Sequence, residues 1–268
     1  MKKIYLIFLF IAGINSAQND SLNFRIYDQS ALPVIPGTFR YSLFRNAEYG
    51  INDKISISAH PIMMFLSPSV SIKYNFYNQG KFSISSMHGI NYPAPLMNLV
   101  KNKGTGGFIS PEYEIPWLLS VYNSVAATYL IGGNQILTGE LGLEFALNNS
   151  KLSPGTSVDL PVILPRSMVF YKNAGIDFKI IYEGNLVSNF DFHVKSELFL
   201  FPISSSDYDH EYQETANNLF WELTGNVFWN LTETFKLGAG TKLCYGTYPF
   251  GKQWHLLPYI DFVKYCEL

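Results

Sequence analysis

The stretch from Phe190 to Phe201, FDFHVKSELFLF, narrows the folds open to this chain more than any other. Phe190, Phe192, Val194, Leu198 and Leu200 recur at period two, and Asp191, His193, Lys195 and Glu197 fill the positions between them. Side chains of a strand alternate between the two faces of its sheet, so this strand has one apolar face and one ionic face. A soluble sheet buries the apolar face inside. A membrane barrel inverts the arrangement, with the apolar face toward lipid and the charges toward a lumen.

Similar alternation runs through the sequence. It is visible in TFRYSLFRNAEYGI (38–51), in 70–76, in QILTGELGLEFAL (135–147), in GIDFKIIYE (175–183), and in the pair LFWELTGNVFWN (219–230) and FKLGAGTKLCYGT (235–247). Alternation alone does not separate a sandwich from a membrane barrel. Four further features favour the barrel. The runs reach about 10 to 14 residues, against a mean near 5–6 for globular strands. Tight turns at 52–53, 78–80, 132–134, 184–187 and 231–233 alternate with long irregular segments at 92–116, 149–169 and 202–217, as periplasmic turns alternate with extracellular loops. Trp117, Tyr129, Tyr182, Trp221, Trp229, Tyr245 and Trp254 lie near run ends, as in an interfacial girdle. Finally, the polar faces offer opposite charges for cross-strand pairs: Glu222 opposite Lys242, Asp177 opposite Lys195, and Lys179 opposite His193.

Composition agrees. Charged residues make up 15% of the 268, below the roughly 25% typical of soluble domains, while aromatics reach 16%. A net charge of -2 gives no footing for a nucleic-acid partner. Lys2 and Lys3, the apolar run Ile4 to Ile14 and the small residues Asn15-Ser16-Ala17 read as a cleaved signal peptide over 1–17, leaving 18–268 as one barrel domain. Beyond residue 17 no run of 18 apolar residues occurs, so a membrane-spanning mature chain must be a closed barrel.

The fold class expected is therefore all-β: a transmembrane, antiparallel, up-and-down barrel. Twelve strands are expected if 22–28 forms the first, 38–51 a single second strand and 54–66 the third; ten strands is the alternative. Arg45 conflicts with that register, because it falls on the lipid face of 38–51 unless a bulge intervenes. The lumen candidates from the first half are Arg40, Lys73, Glu140 and Glu144. The middle strands add Asp177, Lys179, Asp191, His193, Lys195 and Glu197, and the last pair adds Glu222, Lys236 and Lys242.

The signal peptide, the turn segment EYGINDKISIS (48–58), the alternating strands and the final aromatic strand resemble bacterial outer-membrane β-barrel proteins, with no narrower family reached. The resemblance implies outer-membrane lipid as the surroundings, a Gram-negative source and the barrel-assembly machinery as a partner during biogenesis. PYIDFVKYCEL resembles the aromatic terminal strand that this machinery reads, but ends in Leu268 where Phe is usual.

No catalytic, cofactor or metal site is expected. None of His60, His88, His193, His210 and His255 is followed by Ser two positions later, the same-face spacing found in some barrel lipid hydrolases. The acidic surroundings of His210 read as a solvated loop, and GTGG (104–107) lacks the residues of a phosphate loop. Cys244 and Cys266 are expected to stay unbonded. The lumen charges are mixed in sign, whereas strong ion selectivity needs one sign at a constriction. The preferred function is a narrow, gated channel for small solutes. A non-conducting structural or adhesion barrel is the alternative, and a lipid hydrolase stands third.

Overall fold

The computed structural model describes residues 30–267, apart from 62–63, 65–66, 103–107, 133, 151, 202–218 and 249–250. Twelve antiparallel strands close into one barrel. They are β1 (Thr38–Ser42), β2 (Ala47–Gly50), β3 (Ile55–Ala59), β4 (Ser69–Gln79), β5 (Phe82–Asn91), β6 (Leu118–Leu130), β7 (Gln135–Asn148), β8 (Ala174–Val187), β9 (Phe190–Leu200), β10 (Leu219–Thr232), β11 (Phe235–Tyr248) and β12 (Gly251–Glu267). Each strand pairs with its chain neighbours, and β1 pairs with β12 to close the ring. Short turns join β2 to β3, β4 to β5, β6 to β7, β8 to β9 and β10 to β11 at one end. The long connections lie at the other.

The barrel is inside out. Leu137, Leu141, Leu143, Phe145 and Leu147 all face outward and are exposed, while Thr138 and Glu140 between them are buried. Phe178 is exposed too, and Phe192 packs its ring on Tyr182 on the same outer face, 4.8 Å between centroids. Leu143, Phe178 and Phe192 therefore share no interior, which excludes the soluble-sheet alternative. Trp221 and Trp229 lie eight residues apart on β10, about 26 Å along the strand at ~3.3 Å per residue. Trp254 meets Trp221 and Tyr245 in one aromatic group, and Trp229 stacks on Phe190 in another. Two aromatic belts thus bracket the apolar band.

Twelve strands form, but for a reason different from the one expected. The run 38–51 is not a single strand. It breaks at residues 43–46 into β1 and β2, which pair with each other through Phe39–Tyr49 and Arg40–Glu48. That break resolves the conflict over Arg45, which sits in the connection and not on a lipid-facing strand. The expected strand at 22–28 lies outside the described residues. The expected strand at 54–66 ends at Ala59, before Pro61, whose missing N–H cannot extend a ladder.

Two registers also differ from expectation. The β8–β9 turn occupies Ser188–Asn189, not 185–187, so Lys179 faces Glu197 and His193 faces Glu183. Asp177 faces Phe199, and Lys195 faces Ile181. The β10–β11 turn falls at Glu233–Thr234, which sets Glu222 opposite Cys244 and Lys242 opposite Thr224. In both hairpins a β-bulge just before the turn lets the ladder run further than the sequence alternation marks. The two cysteines are unbonded, as expected.

The long connections contain short helices that no sequence periodicity announced: α1 (Ala94–Leu99), α2 (Leu164–Ser167) and α3 (Val169–Lys172). Asn173 takes a left-handed conformation, φ 64°, and redirects the chain from α3 into β8.

A charged lumen closed at both ends

At the long-loop end, α2 and α3 fold back into the barrel mouth. Leu164, Met168, Val169, Phe170 and Tyr171 pack against Met97, Ile109 and Leu152 and against the inward rings Phe199, Phe201, Phe220 and Tyr248. Phe220 meets Phe201 and Tyr248 edge-on, at 6.2 and 5.7 Å. This buried apolar cluster is a lid.

At the tight-turn end, the segment before β1 crosses the lumen as a strap. Ala31 donates its N–H to Thr128 Oγ1 at 2.8 Å, and its carbonyl accepts from Asn75 Nδ2 at 2.6 Å and Ser83 Oγ at 2.9 Å. Lys73 Nζ donates to the carbonyls of Ser30 and Leu32, both at 3.2 Å. Inward Phe228, Val263 and Tyr265 fill the opposite wall, beside the Lys236–Asp191 pair at 2.5 Å.

Between lid and strap lies a cavity of about 750 Å³. Arg166, on α2, enters it from the lid. Its guanidinium donates to both oxygens of Glu222, at 2.6 and 2.8 Å, and to Glu197 Oε2 at 3.2 Å, a bidentate geometry specific to arginine. Lys242 also pairs with Glu222 at 2.9 Å, and Lys195 with Glu197 at 3.2 Å. Lys179 lies 3.1 Å from both Glu140 and Asp177 and 3.8 Å from Glu197. Tyr122 donates to Glu140 at 2.5 Å, and Ser120 to Glu144 at 2.5 Å. A second group joins Glu48 to Arg40 at 2.8 Å and to Lys73 at 2.7 Å, with Ser56 donating to the same carboxylate.

Acids and bases are unequally placed. Side-chain exposure is 41% for Arg166, 16% for Lys179 and 15% for Lys242, against 1% for Glu222, 3% for Glu140 and 6% for Glu197. These carboxylates lie behind these three cations, which present themselves to the cavity, while Lys195 and Arg40, at 8% and 9%, are nearly as buried as the acids. Among the described residues, six cationic side chains line it (Arg40, Arg45, Arg166, Lys179, Lys195 and Lys242), against three carboxylates (Glu140, Glu144 and Glu197).

All thirteen lumen positions read from the sequence occur on the inward face, but they do not form one site. Arg40 and Lys73 belong to the Glu48 group, Asp191 and Lys236 to the tight-turn end, and His193 is buried opposite Glu183 and Asn226. Glu140, Glu144, Lys179, Lys195, Glu197 and Lys242 line the cavity, as Arg40 also does, and Asp177 and Glu222 stand behind them. The sequence reading missed Glu48, Asp261, Tyr122 and Arg166. Parity carries a signal for Glu48, which is in phase with Arg40 across the hairpin. No strand period could place Arg166, because it comes from a loop. His60 lines the cavity, and His88 bonds Asn123 and Ser86 on the outer face. His210 lies outside the described residues.

No protein-family description and no curated protein matches this chain. Several solved outer-membrane proteins are similar in structure at low identity. One is OmpT of Vibrio cholerae: TM-score 0.45, 10% identity, 82% of this chain and 64% of that one. Another is the outer-membrane channel DcaP of Acinetobacter baumannii: TM-score 0.40, 11% identity, 85% and 61%. A third is OccK11 of Pseudomonas aeruginosa: TM-score 0.41, 10% identity, 83% and 57%. This chain spans about three-fifths of the length of these proteins.

Proposed function

We propose that this protein is an outer-membrane barrel of a Gram-negative bacterium that passes small solutes through a narrow, gated lumen. The exposed apolar band between two aromatic belts supports residence in a bilayer. The ring of strands leaves no edge within the membrane except where β1–β3 are short, and the interior charges pair with one another, as Arg166 does with Glu222 and Lys179 with Glu140. In this orientation the tight turns face the periplasm and the long loops face outward. The carrying observation is the 750 Å³ cavity with cations at its surface, held between a lid and a strap. Opening requires the lid to leave the mouth, and Arg166 is the contact that pins it to the wall. No chemical step belongs to this reading.

Planar-bilayer recording of the purified protein tests it. Brief, small-amplitude openings are expected, because the lumen is filled at rest. An absence of any conductance over a wide voltage range would count against a channel. Lid and strap also favour a second reading: a barrel that does not conduct and acts through its long loops. Trimming the β5–β6 loop separates the two, since an adhesion barrel loses its binding partner and a channel keeps its conductance.

A further inference from the structure

A group of polar side chains interrupts the apolar band of the outer wall. On β5, Ser86 and His88 point outward between Ile84 and Ile90, and on β6 Asn123 points outward between Val121 and Val125. His88 stands directly opposite Asn123 in the β5–β6 ladder, and Ser86 lies two residues before it on the same face. The next residues across the sheet are Ile72 of β4 and Leu143 of β7. Burial inside the protein does not account for the group, since His88 and Asn123 are exposed on the lipid-facing side.

The three side chains are bonded in a line. His88 Nδ1 lies 2.7 Å from Asn123 Oδ1, and His88 Nε2 lies 3.2 Å from Ser86 Oγ. An amide oxygen can only accept, so Nδ1 carries the ring proton, and in the neutral ring Nε2 is left as an acceptor for the Ser86 hydroxyl. One ring nitrogen is thus held by an amide, and the other is aimed at a serine. These are the relations of nucleophile, base and orienting group in acyl transfer, which are recognised by geometry and not by order along the chain. Here the serine comes two residues before the histidine instead of two after it.

The position of the group limits what it can meet. The β4–β5 ladder ends at Ser69–Asn91, three residues beyond His88. That is about 10 Å along the strand at ~3.3 Å per residue, or ~7 Å in height at a tilt of ~45°. The wall is low on this side, and the group lies toward its long-loop end. An acyl ester joins the headgroup region of a lipid to its chains, so its carbonyl sits at the edge of the hydrocarbon, within reach of Ser86.

We propose that Ser86, His88 and Asn123 form a hydrolytic site on the lipid-facing wall, acting on acyl esters of lipids in the outer half of the bilayer. Ser86 Oγ attacks the ester carbonyl carbon, and its proton passes to His88 Nε2. The bond from that carbon to the alcohol oxygen then breaks, and His88 gives the proton to the departing alcohol, leaving the acyl group on Ser86. Water attacks this second ester and gives a proton to His88 Nε2. The bond to Ser86 Oγ breaks, His88 returns the proton to the serine, and the fatty acid leaves. Asn123 is a positioning residue: it fixes the tautomer, and its oxygen faces the positive ring formed at each step. The site reverses the expectation that the chain carries no catalytic group. It rests on the membrane residence proposed above and is independent of conduction through the lumen.

The test uses the full mature protein in vesicles of diacylphosphatidylethanolamine and, in a second arm, in vesicles containing lipid A, with released fatty acid read by mass spectrometry. The arm that releases acid names the lipid. Ser86→Ala and His88→Ala should each lower release at least 100-fold, and the double variant should lower it no further, because nucleophile and base act as a unit. Asn123→Ala should lower release at least tenfold, and Asn123→Asp should restore it, since a carboxylate also accepts from Nδ1–H. Hexadecyl fluorophosphonate should add to Ser86 in the unaltered protein, with the adduct mapped by peptide mass, and should fail to add in His88→Ala.

Heat-modifiable mobility confirms that each variant has folded, and the adduct on the unaltered protein needs no variant. Equal release by Ser86→Ala and the unaltered protein, or an adduct at Ser86 that forms equally well in His88→Ala, overturns the site. Full release by Asn123→Ala overturns the role given to Asn123. Quenching of Trp254 by brominated lipid reads insertion separately. Without quenching, membrane residence fails and the site with it, whereas quenching with neither release nor adduct overturns the hydrolytic site alone.

Discussion

Arg166 is the residue whose removal should most change the behaviour of the lumen without dismantling the barrel. Its guanidinium forms three short contacts with Glu222 and Glu197 and lies 5.1 Å from the centre of the Phe199 ring. Charge-assisted hydrogen bonds in a dry site are worth ~1.5–3 kcal/mol each. The side chain is 41% exposed to the cavity, however, which moves each ion pair toward the ~0.2–1 kcal/mol of solvated pairs. Nor are the carboxylates stranded by the change, since Glu222 keeps Lys242 and Glu197 keeps Lys195. The severe ~3–5 kcal/mol penalty of an uncompensated buried charge therefore does not apply. A loss of roughly 1–2 kcal/mol in lid docking remains, or a factor of about 5–30 in the docked-to-undocked ratio. Arg166→Ala should raise the open probability in planar bilayers by about that factor. Arg166→Lys should fall between, because an ammonium cannot make the bidentate contact. An open probability within twofold of wild type for Arg166→Ala, with normal heat-modifiable mobility, would refute the assignment of Arg166 as the pin.

Other substitutions probe the wall and the ion network. Leu141 is 55% exposed at the middle of β7, so Leu141→Arg should cost ~2–4 kcal/mol and lower the yield of heat-modifiable barrel, whereas Glu140→Gln retains an acceptor for Tyr122 and should stay within about 1 kcal/mol in urea titration. Gly142→Val should disturb the centre of the network, because a Cβ there would collide with Asp177 Oδ1 and the Tyr122 hydroxyl; a stability loss of ~1–3 kcal/mol in urea titration is expected.

The alternation of FDFHVKSELFLF already contains the wall, the lumen and their polarity, because a period of two is a local property. Strand ends are not local. Expecting the β8–β9 turn at 185–187 displaced every pairing between those strands, although each residue kept its face. Face survives an even slip in register, which is why the inward positions were legible and their partners were not. Arg45 was the one visible conflict, and it marked the break that makes β1 and β2 two strands. The lid and the early end of β1 left no such trace. The lid comes from loops whose packing depends on rings contributed by three strands, β9, β10 and β11, and the end of β1 depends on where it stops against β12, more than 200 residues away along the chain.

The orientation of the two faces is the premise beneath all of this, and spin-label accessibility reads it directly. Single nitroxides would be placed at Leu143, Phe178 and Val194 on one face, and at Ser124 and Thr224 on the other, in a Cys244→Ser, Cys266→Ser background in lipid vesicles. The first three should collide mainly with oxygen dissolved in the bilayer, and the last two should be shielded from it. High oxygen accessibility at Ser124 and Thr224, with Leu143, Phe178 and Val194 shielded, would contradict the inside-out barrel.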